Sequence, residues 1–245
     1  MEQMSERLPA LPRRAFLVAA LGVVITACSQ TSRASGGSSP TRVDAPNVTV
    51  PGVSLPGGTI PAAPAKLLTL GMIGDSITKL STPSLKAVFA AQGIPNVTID
   101  AEVSRRIKVG NGKSEPLNGE QVLTNMNKIG LDPDVWVFAL GTNDLTAYDA
   151  EGFASLISTM LGMTKPDTPV VWVDTYRPKT LQQTKVFNLV VRDQASKRPH
   201  TSVASWFDVA SAAPDKLLSK DDVHPSDAGQ QAFAAVVGAA VAGAS

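Results

Sequence analysis

From about Lys66 onward the chain alternates short apolar runs with longer segments whose apolar residues recur at helical spacing. The runs LLTLGMI at 67–73, VTID at 97–100, DVWVFAL at 134–140, PVVWVDT at 169–175 and TSVASWF at 201–207 have the length and the Val, Ile and Trp content of buried strands. Between them, helical patterns fall near 82–92, 118–129, 150–163 and 180–197, with a last one over about 226–243. Strands in alternation with helices predict an α/β fold in which a central, parallel, five-stranded sheet is covered by helices on both faces. No internal repeat is present. Ligands of such sheets gather at the carboxyl ends of the strands, so the residues that follow each apolar run become the candidates for chemistry.

Upstream of Lys66 the pattern is different. Residues 13–28 read RRAFLVAALGVVITAC, two arginines followed by thirteen uncharged residues and a cysteine. That run is shorter than the roughly twenty residues a permanent membrane helix needs, and it predicts a signal peptide over residues 1–27. Ile25-Thr26-Ala27-Cys28 resembles a bacterial lipobox, which implies cleavage before Cys28 and lipid attachment to it, and the arginine pair resembles a twin-arginine export signal. Residues 28–65, rich in Ser, Gly and Pro, read as a tether that holds a domain over 66–245 away from a membrane surface. The expected location is therefore outside the cytoplasm, anchored to the cell membrane and facing the wall or periplasm.

The chain has 245 residues, 43% of them hydrophobic and 18% charged, which suits one globular catalytic domain. Its net charge is +1, and removal of residues 1–27 leaves 19 basic and 19 acidic residues, so nothing favours nucleic acid as a partner. Cys28 is the single cysteine, which excludes an internal disulfide.

Two strand ends and the loop ahead of the last predicted helix carry polar residues suited to acyl chemistry. In LGMIGDSIT, Ser76 stands just past the first run, where a helix start supplies unpaired N–H groups. Its hydroxyl could attack a carbonyl there, or it could simply cap the helix. In DDVHPS, Asp221 precedes His224 by three residues, close enough to fix the imidazole tautomer, with Asp222 the weaker candidate. In LGTND, Asn143 can aim its amide at a developing oxyanion or form an ordinary Asx turn. His200, the other histidine, has no acid near it in sequence and reads as a surface residue.

GDS at 74–76, GTND at 141–144 and DxxH at 221–224, in this order and spacing, resemble the SGNH or GDSL-type hydrolase family over about residues 66–245. The resemblance implies a flavodoxin-like three-layer α/β/α sandwich, with Ser76 as nucleophile, His224 as base and Asp221 as the carboxylate that orients it. It also implies an oxyanion hole made of Asn143 and the backbone N–H of Ser76. The family's remaining donor is the N–H of a glycine after the second strand. Here the best match is Ser104, with Gly110 as the alternative.

The segments around Ser104-Arg105 and VDTYRP at 173–178, with Asn188 and Trp206, are most similar to the branch that holds peptidoglycan O-acetyltransferase domains and bacterial carbohydrate esterases. Arg105 and Asn188 are thus possible substrate contacts, with loop stabilisation or solvation equally open for Arg105, and Trp206 reads as packed. An exported serine esterase acting on acylated envelope carbohydrate or another small ester is expected, with no metal or cofactor. The alternatives are an O-acetyltransferase served by a membrane acyl-donor partner and a non-catalytic glycan-binding lipoprotein. The lipoprotein reading predicts that Cys28→Ser moves the protein from the membrane fraction to the soluble one or blocks its processing. Unchanged fractionation with normal N-terminal cleavage would contradict it.

Overall fold

A computed structural model describes residues 67–110 and 112–244. The predicted signal peptide, Cys28 and the tether lie outside these described residues.

Five strands form one parallel sheet: β1 (Thr69–Gly74), β2 (Asn96–Ala101), β3 (Val135–Ala139), β4 (Val170–Val173) and β5 (Thr201–Ala204), in the order β2-β1-β3-β4-β5. This is the flavodoxin-like order, and its switch point lies at β1, whose two neighbours are β2 and β3. In register, Gly74 pairs with Ala101 on one side and with Ala139 on the other. The chain therefore leaves three adjacent strands at one level of the sheet edge, where residues 75, 102 and 140 follow.

Side chains of β3 alternate between two cores, and that alternation sorts the helices into layers. Val135 and Val137 point into a cluster with Leu85 and Phe89 of α1 (Ser76–Ala91), Trp206 of α5 (Trp206–Ala212), Leu217 of α6 (Pro214–Leu217) and Phe233 of α7 (Asp227–Ala242). Trp136 and Phe138 point the other way, toward Leu123 of α2 (Gly119–Lys128), Phe153 and Met160 of α3 (Ala150–Gly162) and Phe187 of α4 (Leu181–Ser196). Burial of both faces explains why the strands read as continuous apolar runs rather than as alternating ones.

The predicted strands and helices fall close to those found, with two local differences. The first helix begins at Ser76, at the helix start expected there, although its apolar period is clear only from about 82; Pro83 sits inside it. Proline there gives up its N–H bond to the carbonyl of residue 79 and its ring crowds that carbonyl, but the turn is at the surface, with Lys79 and Leu80 exposed, and the helix runs through it. The fifth strand stops at Ala204 rather than continuing to 207. Asp174 accepts the Phe207 N–H at 2.7 Å, which starts a helix at Trp206 in place of the apolar run's extended continuation.

The last helix is placed by a close approach. Ser226 caps α7 by accepting the Gly229 N–H at 3.1 Å, and a Cβ on Gly229 would lie 1.9 Å from the Leu217 carbonyl oxygen. Only glycine lets α7 start against α6 at this spacing. The contact seats the 218–225 loop, which an antiparallel bridge between Leu218 and Pro225 closes. Gly229→Ala is expected to lower the unfolding free energy by about 3 kcal/mol, the upper range for overpacking, because the clash is with backbone and not with a mobile side chain. Urea denaturation would read this as a lower midpoint, and an unchanged midpoint would contradict it.

Candidate active site

Gly74 ends β1 and Ser76 begins α1, so one residue turns the chain from sheet to helix. A Cβ on Gly74 would lie 2.1 Å from the Thr78 hydroxyl, and the turn is possible only without one. Asp75 is the N-cap of α1: its Oδ1 accepts the Ile77 N–H at 2.9 Å. The capping role open to Ser76 thus belongs to its neighbour. Ser76 is the first helical residue, so its own N–H has no helical acceptor and its hydroxyl is free to point out of the turn.

That hydroxyl lies 2.9 Å from Nε2 of His224, a residue 148 positions away in sequence. The other ring nitrogen, Nδ1, lies 2.6 Å from Asp221 Oδ2. Asp221 is held in turn by its own loop, because its Oδ1 accepts the N–H groups of Val223 at 2.9 Å and His224 at 3.0 Å. The hydrogen bond from His224 is the main reason that the Asp221 carboxyl is lowered to about 2, so it stays ionised at any working pH. Asp222 faces elsewhere: it adopts a φ of +63° and pairs with Lys179 at 3.2 Å. His200 is exposed, away from this array.

Across the site, two loops bring up hydrogen-bond donors. Ser104 lies in the loop after β2, bracketed by two contacts to the floor of the site. Glu102 N–H donates to the Gly74 carbonyl at 3.3 Å, and the Arg105 carbonyl accepts from Asn143 Nδ2 at 3.1 Å. Ser104 has a φ of +61°, the left-handed conformation suited to glycine, and its N–H has no acceptor among the described residues. The turn expected of a glycine thus persists with a serine in it. Gly110 packs instead against Pro116 and Asn118. Asn143 is half-buried, and its Nδ2 also lies 3.4 Å from Asp75 Oδ2.

Arg105 and Asn188 are built into the scaffold. Arg105 is 4% exposed, and its guanidinium donates to the carbonyls of Gly74, Asp100 and Leu117 and to the Asp100 carboxylate. It ties the Ser104 loop to the end of β1, so of the readings open for it the geometry carries loop stabilisation. The Asn188 amide is bonded on both sides to the backbone of Thr175, which fastens α4 to the end of β4. Trp206 is buried and packs edge-on against Phe233.

Three buried acids near the strand ends had no role in the sequence reading. Asp75 is one. Asp144 accepts the Ile107 N–H on both oxygens at 3.3 Å, and Asp174 binds Arg192 at 2.8 Å and caps the start of α5. An acid directly before a helix is a capping signal that the GDS motif carried all along.

Taken together, a hydroxyl, an imidazole and an ionised carboxylate stand in one hydrogen-bonded line, and the serine's own N–H at the helix start is left without a helical acceptor. Such an array at the switch point of a parallel sheet defines an α/β enzyme that hydrolyses or transfers acyl groups. The chain belongs to the GDSL-like lipase/acylhydrolase family, whose family model matches residues 72–232.

A search of curated proteins found no match. Among solved structures, the chain is similar to the C-terminal catalytic domain of Streptococcus pneumoniae peptidoglycan O-acetyltransferase A, at 20% identity and a TM-score of 0.56, over 75% of this chain and 93% of that one. It is also similar to a Clostridium thermocellum family 3 carbohydrate esterase, at 18% identity and a TM-score of 0.53, over 72% and 100%. A third is the M. smegmatis aryl esterase, at 18% identity and a TM-score of 0.55, over 72% and 99%. At these identities the likeness is one of fold.

The buried acids give stability a direction with pH. Burial raises Asp75 to about 6 and both Asp144 and Asp174 to about 7, from an ordinary 3.8. Between those values the folded chain holds protons that the unfolded chain has released, so their contribution is full below about pH 4 and falls as the pH rises through 6 and 7. Asp221 acts oppositely and only at lower pH, where its contribution is lost as the pH falls toward 2. Urea midpoints are expected to fall between pH 5 and pH 7.5, and Asp144→Asn, which keeps an acceptor for Ile107, should flatten that slope. Identical slopes for variant and wild type would contradict the assignment.

Proposed function

We propose that this protein is an exported serine esterase that removes an acyl group, acetyl in the first instance, from carbohydrate of the cell envelope. The observation that carries the reading is the unbroken Asp221–His224–Ser76 line, 2.6 Å and 2.9 Å in its two links. Ser76 Oγ attacks the ester carbonyl while His224 Nε2 takes its proton, and the imidazolium that forms is stabilised by Asp221. Negative charge on the former carbonyl oxygen meets the N–H groups of Ser76 and Ser104 and the Asn143 amide. Collapse of this intermediate returns the proton from His224 to the leaving alcohol. Water, activated by the same imidazole, then releases the acid from Ser76.

The envelope location rests on the sequence of residues 13–28, and the carbohydrate on the named activities of two structures of similar fold. Transfer to a sugar is the second reading, favoured by the likeness to an O-acetyltransferase domain. Among the described residues no helix is long and apolar enough to cross a membrane, so delivery of an acyl donor through a bilayer by these residues would require a partner. Aromatic residues are only 5% of the chain, which offers little apolar cover to keep water from the acyl-serine. Hydrolysis is therefore the primary activity of the protein alone.

Ser76→Ala and His224→Ala should each reduce turnover of an acetyl ester by about 10³-fold or more, with little further loss in the double variant, because the groups act as a unit. Asp221→Ala should cost less. A serine-reactive phosphonate should label Ser76, and an activated acetyl ester supplied with muropeptide should yield mostly free acetate by mass spectrometry. Retained activity in Ser76→Ala would sink the nucleophile assignment, and predominant sugar acetylation would make the transferase reading primary.

A further inference from the structure

Asn143 carries a donor and an acceptor of nearly equal size on one amide, and only the donor end can meet an oxyanion. Turned the other way, Oδ1 would face the developing charge and oppose it. The side chain is half-buried and stands on a loop, so its surroundings must choose between the two orientations.

Both neighbours of Asn143 Nδ2 are oxygens that accept. The Arg105 carbonyl lies at 3.1 Å and Asp75 Oδ2 at 3.4 Å. A flipped amide would set Oδ1 against both of them. Each of these oxygens is fixed in its turn. Asp75 is 1% exposed and its Oδ1 accepts the Ile77 N–H at 2.9 Å, while the Arg105 guanidinium is fastened to the carbonyls of Gly74, Asp100 and Leu117. The two contacts are unequal. A separation of 3.1 Å is ordinary for an N–H···O bond and claims one amide hydrogen, whereas 3.4 Å is long. The second hydrogen is therefore aimed by Asp75 yet loosely held, and it can pass to an oxyanion that draws it more strongly.

We propose that Asp75 is a positioning residue for the acyl chemistry: its second oxygen holds the Asn143 amide with Nδ2 turned toward the ester carbonyl at Ser76. The inference rests on the esterase reading of the Ser76 site and adds to it what sets the direction of one oxyanion donor. Asp75 makes no bond to the substrate in this scheme and acts through Asn143.

Two substitutions separate this role from capping. In Asp75→Ser the hydroxyl can still accept the Ile77 N–H, but Oδ2 is gone. In Asp75→Asn the amide oxygen keeps the cap and a donor replaces Oδ2, so two N–H groups face each other. Loss of one oxyanion donor costs about 10²-fold to 10³-fold in turnover, which sets the ceiling. Kinetics would be read at pH 8, where Asp75, pushed up by burial to about 6, is ionised. Asp75→Ser is expected to lower kcat for an acetyl ester about tenfold and Asp75→Asn about 30-fold, each with KM within about twofold. In an Asn143→Ala background both should cost less than about twofold, because the donor that they orient is gone. Equal losses with and without the Asn143 amide would show a general disturbance of α1 and overturn the proposal. A faster Asp75→Asn enzyme would overturn it too, since the carboxylate charge would then oppose the oxyanion more than it aims the donor.

Hydrogen exchange reads the same contact without turnover. In full-length protein carrying Ser76→Ala, exchange of the Asn143 side-chain amide with solvent, followed by NMR, is expected to become about tenfold faster once Asp75→Ser is added. Unchanged exchange would count against the contact and defeat the proposal. Faster exchange in a protein whose wild type hydrolyses no acetyl ester would uphold the hold on Asn143 and sink the esterase reading instead.

Discussion

The buried carboxylate of Asp75 fixes the geometry on which the rest of the site depends. One oxygen caps α1 through the Ile77 N–H, and the other lies beside the Asn143 amide. A single side chain thus sets both the start of the helix that carries Ser76 and the position of the loop that faces it. Capping of this kind contributes about 1 kcal/mol to a helix. Its larger effect here is relative placement, because Asp75 is 1% exposed and has no alternative solvent position to relax into. Gly74 allows the turn, and Arg105 fastens the neighbouring loop to the Gly74 carbonyl.

The hydrogen-bonded line itself is assembled from distant parts of the chain by ordinary packing. α1 and α7 lie side by side on one face of the sheet, where a Cβ on Gly238 of α7 would lie 2.3 Å from a methyl group of Val88 of α1. Gln92 at the end of α1 also donates to the Gly238 carbonyl at 2.8 Å. Contact between the two helices sets the lateral position of α7, and Gly229 against Leu217 sets where it begins. The 218–225 loop inherits both constraints, and His224 meets Ser76 as a result. Asp221, whose side chain is half exposed, keeps its charge through the His224 bond and two backbone N–H groups rather than through burial.

Much of this was legible in the sequence, for identifiable reasons. Strands buried on both faces leave unbroken apolar runs such as VWVFA, and the helices between them keep their period, so sheet and layers could be read directly. The pieces GDS, GTND and DxxH were legible because each lies at a strand end or before a helix. What was not legible depends on contacts between elements. The helix start at Ser76 was legible, but nothing local in STP reveals that the helix runs unbroken from there through Pro83. The segment ASWF reads as strand until Asp174, thirty-three positions away, takes the Phe207 N–H. Arg105 and Asn188 stand in suggestive positions, but apart from the Asp100 carboxylate beside Arg105 their partners are backbone groups that a sequence does not display.

Ser104 occupies a position whose value to the site lies in its backbone. Its left-handed φ and unpaired N–H belong to the peptide unit, and every residue except proline has that N–H to offer. The side chain is therefore free to drift while the donor persists, within the limit that β-branched residues resist a φ of +61°. Positions of this sort divide an enzyme into a part that inheritance must preserve and a part that it can vary. A lineage can reshape the entrance of the pocket at residue 104 by exchanging small side chains there, and leave untouched the donor that the proposed chemistry uses.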